Sequence, residues 1–171
     1  MTTPAPIPVL GFSAPSGTGK TTLMVKVIQQ LHQTGLRVAA IKHGHHPTDP
    51  DLPGKDTYRF RQAGAATVLF ASRERWFMIQ ELGKEHSEPT LEEQVRYLRG
   101  HDLILVEGYK NEDHPKIVVH RLASGTPPLH EQLSNVIAVV TDDPQCLTDL
   151  PTFALEDTAA LSQFIRDYFG L

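Results

Sequence analysis

Residues 14–21 constrain this chain more than any other stretch of its sequence. They read Ala-Pro-Ser-Gly-Thr-Gly-Lys-Thr, which fits the pattern of a small residue, four free positions and then Gly-Lys-Thr, with Ala14 where the strictest pattern has Gly. Gly17 and Gly19 allow a tight turn whose backbone N–H groups can bind phosphate oxygens. Lys20 brings a positive charge to the outer phosphates, and the Thr21 hydroxyl can ligate an accompanying Mg²⁺. The pattern therefore predicts a phosphate-binding loop.

The residues on either side of this loop supply the structural context that it requires. Residues 7–13 are a short apolar strand candidate, and Leu23, Val27 and Leu31 recur at helical spacing after the loop. Because the N-terminus of a helix attracts anions, strand, glycine loop and helix in this order predict nucleotide binding. The residues of this segment that we expect to contact the nucleotide are Ala14, Pro15, Ser16, Gly17, Thr18, Gly19, Lys20, Thr21 and Thr22.

Length and composition restrict the class of protein. The chain has 171 residues, 40% of them apolar and 21% charged, which predicts one nucleotide-binding domain over residues 1–171. No apolar run reaches the roughly 20 residues of a membrane span, and residues 1–8 do not resemble a secretory signal. Cys146 is the single cysteine, so an intrachain disulfide is excluded, and the net charge of −4 gives no support for nucleic-acid binding. We expect a cytoplasmic protein without a membrane or nucleic-acid partner.

A polar loop follows the second strand candidate, residues 36–42. Strand, helix and strand predict a parallel crossover, so the segment after residue 42 should lie on the ligand side of the sheet. This loop carries His43, His45 and His46 together with several acids. It could be a metal site, a solvated surface loop, or a functional loop that faces the nucleotide, and its position in the fold favours the last of these.

A short helix is predicted over residues 56–63, with Asp56 as its cap. Lys55 and Arg59 lie four residues apart and share one face, whereas Arg61 points elsewhere. These two cations are either solvated helix charges or an anion clamp for the same ligand.

Two strand candidates, residues 65–71 and 75–82, are joined by a short polar turn, which predicts a hairpin inserted into the parallel pattern. The apolar run from Trp76 to Ile79 is expected to pack into the core. The alternative is a dimer or partner surface, since an apolar ribbon needs something to cover it.

An acid ends the strand candidate of residues 102–107. A carboxylate at the carboxyl end of a strand beside the phosphate loop can hold Mg²⁺ or polarise a water molecule, so we assign Glu107 to the site. The predicted catalytic residues are Lys20 and Glu107, and the predicted metal ligands are Thr21 and Glu107. No residue can be assigned from the sequence as an arginine finger or as a water-orienting glutamine.

The last third of the chain alternates strands with a final helix. Strand candidates cover residues 115–121, 135–140 and 153–155, and Asp157 is expected to cap a helix with Leu161, Phe164, Ile165 and Tyr168 facing inward. Thr141, Asp142 and Asp143 follow a late strand, where an acid such as Asp142 can read a guanine base, although a plain turn is equally compatible with Asp-Asp-Pro. Together these elements predict an α/β fold: a doubly wound, mostly parallel sheet like that of P-loop NTPases, with an inserted β-hairpin.

Three motifs, in order, resemble one known family. They are the phosphate loop, the Ile-Lys-His-Gly-His-His segment at residues 41–46 with Pro-Gly-Lys-Asp at 53–56, and Leu-Val-Glu-Gly-Tyr-Lys at 105–110. Over roughly residues 7–121 they look like the molybdopterin-guanine dinucleotide biosynthesis adaptor (MobB) family. The resemblance implies a homodimeric GTP-binding protein with weak Mg²⁺-dependent GTPase activity that partners a molybdopterin guanylyltransferase, with molybdopterin as a further candidate ligand.

Two other readings of the residues stay open at this point. One is an ATP-dependent small-molecule kinase or ligase on the same fold, in which Lys55, Arg59 and the histidine loop bind the acceptor substrate. The other is a structural dimer with a vestigial nucleotide site.

Overall fold

The computed structural model describes residues 6–44, 48–83 and 87–171. The strands are β1 (Val9–Ser13), β2 (Val38–Lys42), β3 (Thr67–Ala71), β4 (Trp76–Gln80), β5 (Leu103–Glu107), β6 (Lys116–His120), β7 (Val136–Thr141) and β8 (Thr152–Phe153), and the helices are α1 (Lys20–Gln33), α2 (Asp56–Gln62), α3 (Leu91–Arg96) and α4 (Thr158–Phe169). Contacts group the chain into two compact units, Met1–Gly44 with Leu91–Leu171, and His45–Thr90.

The first unit is built on a six-stranded sheet in the order β2-β5-β1-β6-β7-β8. Every neighbouring pair in it is parallel, as the predicted crossovers require. The central strands are buried on both faces, which explains why β5 is a continuous apolar run rather than an alternating one. The prediction of a doubly wound, mostly parallel sheet is therefore confirmed.

Helices cover both faces of this sheet. On one face α1 and α4 pack together over a core that includes Phe12, Leu105 and Ile117. On the other face, Leu91 and Val95 of α3 pack against a smaller apolar cluster. In the described part of the chain, no helix is both long and apolar enough to cross a membrane.

The helix α4 begins as its sequence predicts. The Asp157 carboxylate accepts a hydrogen bond from the Ala160 backbone N–H, which satisfies one of the free donors of the first turn. Leu161 and Ile165 are fully buried, but Tyr168 is half exposed, so its predicted inward orientation is wrong.

The parallel order brings three strand ends to the same edge of the sheet. β1 lies between β5 and β6, and in register Phe12 of β1 pairs with Glu107 of β5. The phosphate loop, which follows β1, is thus flanked by the carboxyl ends of β5 and β6. Ligands of open α/β sheets bind at such an edge.

The second unit contains α2 and the predicted hairpin, in which β3 and β4 pair antiparallel. Leu69, Met78 and Trp76 lie on one face of this ribbon and are 60%, 39% and 63% exposed. On the opposite face Phe70 stacks on Phe77. The expectation that the run from residue 76 packs into the core is wrong, because Phe77 on this opposite face is also 38% exposed and a two-stranded ribbon has too little structure to bury both of its faces.

A buried arginine organises the rest of this unit. The Arg61 side chain is 9% exposed and its guanidinium lies 2.7 Å from Asp49, 3.3 Å from Asp51 and 2.6 Å from Glu81. The hydrogen bond from Arg61 lowers the pKa of Asp49. α2 itself has Lys55 at its N-cap position without a side-chain cap, so the prediction that Asp56 caps this helix is wrong by one residue.

Candidate nucleotide site

The phosphate loop joins β1 to α1 through two glycines with left-handed backbone. Gly17 has φ 80° and Gly19 has φ 84°, a conformation that a side chain would strain. Between them Thr18 is buried and its hydroxyl donates to the Pro15 carbonyl at 2.9 Å, which fixes the loop internally. Gly19 is also the N-cap of α1, so the loop delivers its N–H groups at the positive end of a 14-residue helix.

A cavity of about 440 Å³ opens over this loop, a size suited to a small-molecule ligand. Its lining residues all belong to the first unit: Pro15, Ser16, Gly17, Thr18, Gly19, Lys20, Thr21, Lys42 and Glu107. Ala14 and Thr22, which the sequence also assigned to the site, are not among them. Seven of the nine predicted loop residues therefore face one cavity.

Glu107 is the point at which the cationic and hydroxyl groups of the cavity converge. Lys20 Nζ donates to Glu107 Oε1 at 2.7 Å, and the Thr21 hydroxyl lies 3.1 Å from each carboxylate oxygen. Lys42 Nζ lies 3.8 Å from Oε1. Lys20 and Thr21, to which the sequence assigned phosphate and metal binding, thus meet at one carboxylate, and Lys42 lies beside them.

The environment keeps Glu107 ionised. Burial acts to raise its pKa, but the hydrogen bond and charge of Lys20, with contributions from Thr21 and Lys42, outweigh burial and lower the pKa below its usual range. The carboxylate is consequently an anion throughout the neutral range.

The donors at this point fit a hard divalent cation such as Mg²⁺. The Thr21 hydroxyl and the Glu107 carboxylate are adjacent, and both are oxygen ligands of the type that Mg²⁺ prefers beside phosphate. No cluster of three or more His, Cys, Asp or Glu side chains suited to a metal occurs within the described residues. The cavity therefore fits a metal held jointly by protein and phosphate rather than by an all-protein cage.

The backbone after β5 holds Glu107 in place. The Glu107 carbonyl accepts from the His43 N–H at 2.9 Å, continuing the pairing of β2 with β5. Gly108 has φ 103°, and a Cβ there would lie 2.7 Å from the His43 Cβ, so glycine permits this close approach. The Tyr109 ring then stacks on the His43 imidazole at 4.4 Å.

Sequence comparison identifies the family to which this arrangement belongs. Residues 9–142 match the family described as "Molybdopterin guanine dinucleotide synthesis protein B", or MobB. The chain belongs to this family. The resemblance inferred from the motifs at residues 14–21, 41–56 and 105–110 is confirmed by that match.

Individual MobB-family proteins resemble the chain over nearly its whole length. It is 42% identical over 171 aligned residues to the "Molybdopterin-guanine dinucleotide biosynthesis adapter protein" of Escherichia coli (strain K12), covering 95% of this chain and 93% of that protein. The protein of the same description from Haemophilus influenzae is 45% identical over 139 residues, 81% of this chain and 76% of that protein. The crystal structure of a MobB protein homolog from Bacillus stearothermophilus matches with a TM-score of 0.70 at 25% identity, covering 95% of this chain and 97% of that one.

For the other residues that the sequence assigned to the MobB site, the structure gives their surroundings within their own unit or does not describe them. His43 packs its ring against Tyr109, while His45 and His46 lie outside the described residues. Lys55 and Arg59 belong to the second unit, where both are exposed and Arg59 lies 3.9 Å from the Asp56 carboxylate. Their proposed anion clamp stays a prediction.

The acids after β7 make contacts both within their own turn and with the segment that ends β6. The Asp142 carboxylate accepts from the Leu122 N–H at 2.8 Å, and Asp143 lies 3.3 Å from His120 and accepts from the Gln145 N–H at 2.9 Å. These bonds agree with the turn interpretation of Asp-Asp-Pro. A role of Asp142 in reading the base stays a prediction.

Sequence reasoning missed one cation that lines this cavity and one that lies beside the phosphate loop. Lys42 ends β2 and lines the cavity, and its position at the carboxyl end of a strand was a usable signal. Arg121, directly after β6, places its guanidinium against Gly19. Only the strand order, with β6 beside β1, reveals that this arginine is near the loop.

Proposed function

We propose that this protein is a GTP-binding adapter in molybdopterin guanine dinucleotide biosynthesis, with slow Mg²⁺-dependent GTP hydrolysis, that assists the guanylyltransferase step. The observation that carries the proposal is the convergence of Lys20 and Thr21 on Glu107 in the cavity over the phosphate loop. Membership in the MobB family supports the pathway and the adapter role.

Each group at the convergence point has a distinct part in this proposal. The loop N–H groups and Lys20 bind the phosphates, whose negative charge the N-terminus of α1 also favours. Thr21 and Glu107 hold the Mg²⁺ that accompanies the phosphates, and Glu107 can orient a water molecule near the terminal phosphate. Mg²⁺ itself supplies charge neutralisation at the phosphate oxygens.

Slow turnover is consistent with the composition of the cavity. Among the described residues that line it there is no glutamine to orient the attacking water, which is one of the parts that accelerate GTPases most. A protein that binds GTP tightly and hydrolyses it slowly suits an adapter, since the bound state then persists long enough to engage a partner.

The exposed hairpin supports the homodimer that we propose for this chain. Leu69, Trp76 and Met78 form a contiguous apolar face on a two-stranded ribbon, and such a ribbon is marginally stable when that face meets water. A second copy offers an identical apolar face, which a two-fold interface requires. We also propose that the dimer acts in the cytoplasm and that molybdopterin is a further ligand.

Calorimetric titration with Mg²⁺-GTP and Mg²⁺-ATP tests the nucleotide proposal. Lys20→Ala should weaken GTP binding by about ten- to a hundredfold, the value of a charge-assisted hydrogen bond to phosphate. Lys26→Ala, on the exposed side of the same helix, is the matched control and should bind like the unaltered protein. GTP should bind more tightly than ATP.

Two outcomes would contradict the proposal. Equal GTP affinity of Lys20→Ala and the unaltered protein would remove the phosphate loop from nucleotide binding. ATP preference with rapid hydrolysis would contradict a GTP-dependent adapter.

A further inference from the structure

Arg121 stands on the side of the phosphate loop opposite Glu107. It directly follows β6, which neighbours β1, whereas Glu107 ends β5 on the other side of β1. The loop therefore runs between an acid and an arginine. Lys20 and Thr21 turn towards the acid.

The guanidinium of Arg121 lies face-on against the last glycine of the loop. A Cβ built on Gly19 would meet Nη2 at 3.5 Å, Cζ at 3.7 Å and Nε at 3.8 Å. Because these three distances are nearly equal, the guanidinium plane lies flat over Gly19. Gly19 is also the residue at which α1 begins.

The hydrogen-bond donors of this guanidinium have no partner among the described residues. Among residues 6–44, 48–83 and 87–171 the group makes no ion pair or hydrogen bond, and its Nε is buried without a partner. Glu156 is near enough for Arg121 to lower its pKa slightly, but Glu156 pairs with Lys26 at 2.8 Å. A buried donor without a partner carries a free-energy penalty, and the other N–H groups of the same guanidinium are open to an anionic ligand.

The backbone that carries Arg121 is fixed at several points. The Arg121 carbonyl accepts from the N–H of Ser124 at 3.0 Å and from its hydroxyl at 2.7 Å. The next N–H, that of Leu122, donates to Asp142 at 2.8 Å, which ties the segment to the end of β7. Arg121 is thus held in place by its own turn and by the neighbouring strand end.

Resting on the proposed nucleotide binding, we propose that Arg121 binds an oxygen of the nucleotide α-phosphate. In this proposal Lys20 and the metal ligands on the β5 side bind the outer phosphates. The α-phosphate should then lie on the opposite side of the loop, towards β6 and β7. Arg121 is the cation on that side. Guanidinium groups bind phosphate oxygens with two N–H donors at once, which suits an arginine with no other partner.

Affinities for GTP, GDP and GMP in two variants test this assignment by calorimetry. Arg121→Gln removes the charge and should weaken all three nucleotides by a similar factor of about ten, because all three contain the α-phosphate. Arg121→Lys keeps the charge but loses the two-donor geometry, so all three affinities should fall by about three- to fivefold, less than in Arg121→Gln. The slope of log affinity against log salt should also become shallower in Arg121→Gln, as one cation no longer contacts phosphate.

Arg96→Gln, which removes an exposed arginine from α3, is the matched control and should leave all three affinities unchanged. Melting temperatures of the variants should agree within about 2 °C, since the guanidinium makes no bond that holds the fold. If Arg121→Gln unfolds, Arg121→Lys decides: an intermediate loss for all three nucleotides supports the assignment, and unchanged affinity contradicts it.

Three results would overturn the assignment. Unchanged affinity in Arg121→Gln would remove Arg121 from the site, and a loss confined to GTP would assign it to the outer phosphates instead. A loss as large in Arg121→Lys as in Arg121→Gln would assign the contact to the guanidinium plane and the base. If the unaltered protein itself binds no nucleotide, the proposed function fails; if it binds and only the Arg121 effects are missing, this inference alone fails.

Discussion

His114 is a buried histidine whose titration should make stability depend on pH. It lies just before β6, is 7% exposed, and packs Nε2 against Gly11 of β1, where any Cβ would collide with it. Neither ring nitrogen has a hydrogen-bond partner among the described residues. Burial, reinforced by the Lys116 ammonium and partly opposed by Asp113, lowers the pKa of His114 to about 4.

The magnitude follows from the difference in proton binding between the folded and unfolded chain. An unfolded histidine titrates near a pKa of about 6.5, so below that pH the unfolded state takes up a proton that the folded state excludes. At about 1.4 kcal/mol per pKa unit, His114 should lower the free energy of unfolding by about 2 kcal/mol at about pH 5 and about 3 kcal/mol at about pH 4. Above about pH 7 both states are neutral and the effect vanishes.

Urea denaturation of the His114→Leu variant measures this contribution. Leucine keeps a buried apolar side chain but cannot titrate, so its loss of unfolding free energy from about pH 7 to about pH 5 should be about 2 kcal/mol smaller than that of the unaltered protein. His32→Leu, which replaces an exposed histidine of α1, is the control and should follow the unaltered protein. Parallel pH profiles for His114→Leu and the unaltered protein would refute the reasoning.

Two further predictions concern the metal site and the hairpin. Glu107→Gln should reduce Mg²⁺-dependent GTP hydrolysis, measured by phosphate release, by about tenfold or more, because it removes a metal ligand. GTP affinity, measured by calorimetry, should change less, because the phosphate loop stays intact. An undiminished hydrolysis rate would exclude Glu107 from the mechanism. Leu69→Glu should dissociate the proposed homodimer in sedimentation equilibrium by charging the apolar face of the hairpin, whereas Leu122→Glu, at an equally exposed leucine of the first unit, should not. A dimer that survives Leu69→Glu would place the interface elsewhere.

The parallel sheet was predictable because its signals are local. The apolar run of residues 103–106, the glycine loop and the helical spacing after it each specify an element within a few residues, and the crossover rule then orders the strands in space. Strand bounds were less secure: β2 begins at Val38 rather than at residue 36, and β8 is only two residues long.

The prediction that the apolar run from Trp76 packs into the core was wrong for a physical reason. Hydrophobicity indicates that a surface tends to be buried, but it does not say whether the same chain or another molecule buries it. In the hairpin, alternation along β3 and β4 sends Phe70 and Phe77 to one face and Leu69 and Met78 to the other. All four side chains are more than a third exposed, and Leu69 most of all. If another molecule buries this surface, the order of strands and helices in the sequence does not reveal it.

The charged and polar groups at the phosphate loop also differ in whether a local sequence pattern could identify them. Lys20 and Thr21 were identified by a motif, and Glu107 by its position at the end of an apolar strand. Arg121 lies 102 residues beyond Gly19 in sequence and has no motif of its own; its role depends on β6 pairing with β1. Such a residue becomes visible only once the strand order is known.

If the proposed function is correct, the sharing of Glu107 between Lys20 and Thr21 should couple phosphate and metal binding. Lys20 Nζ at 2.7 Å competes with a metal ion for the same carboxylate, so Mg²⁺ alone should gain little there. A triphosphate offers Lys20 a second anion, and once the ammonium turns to phosphate the carboxylate and the Thr21 hydroxyl are both available to the metal. Under the proposed function the two ligands should therefore favour each other's binding, and because such coupling is reciprocal, we expect the site to take up the Mg²⁺-nucleotide complex more readily than either component alone.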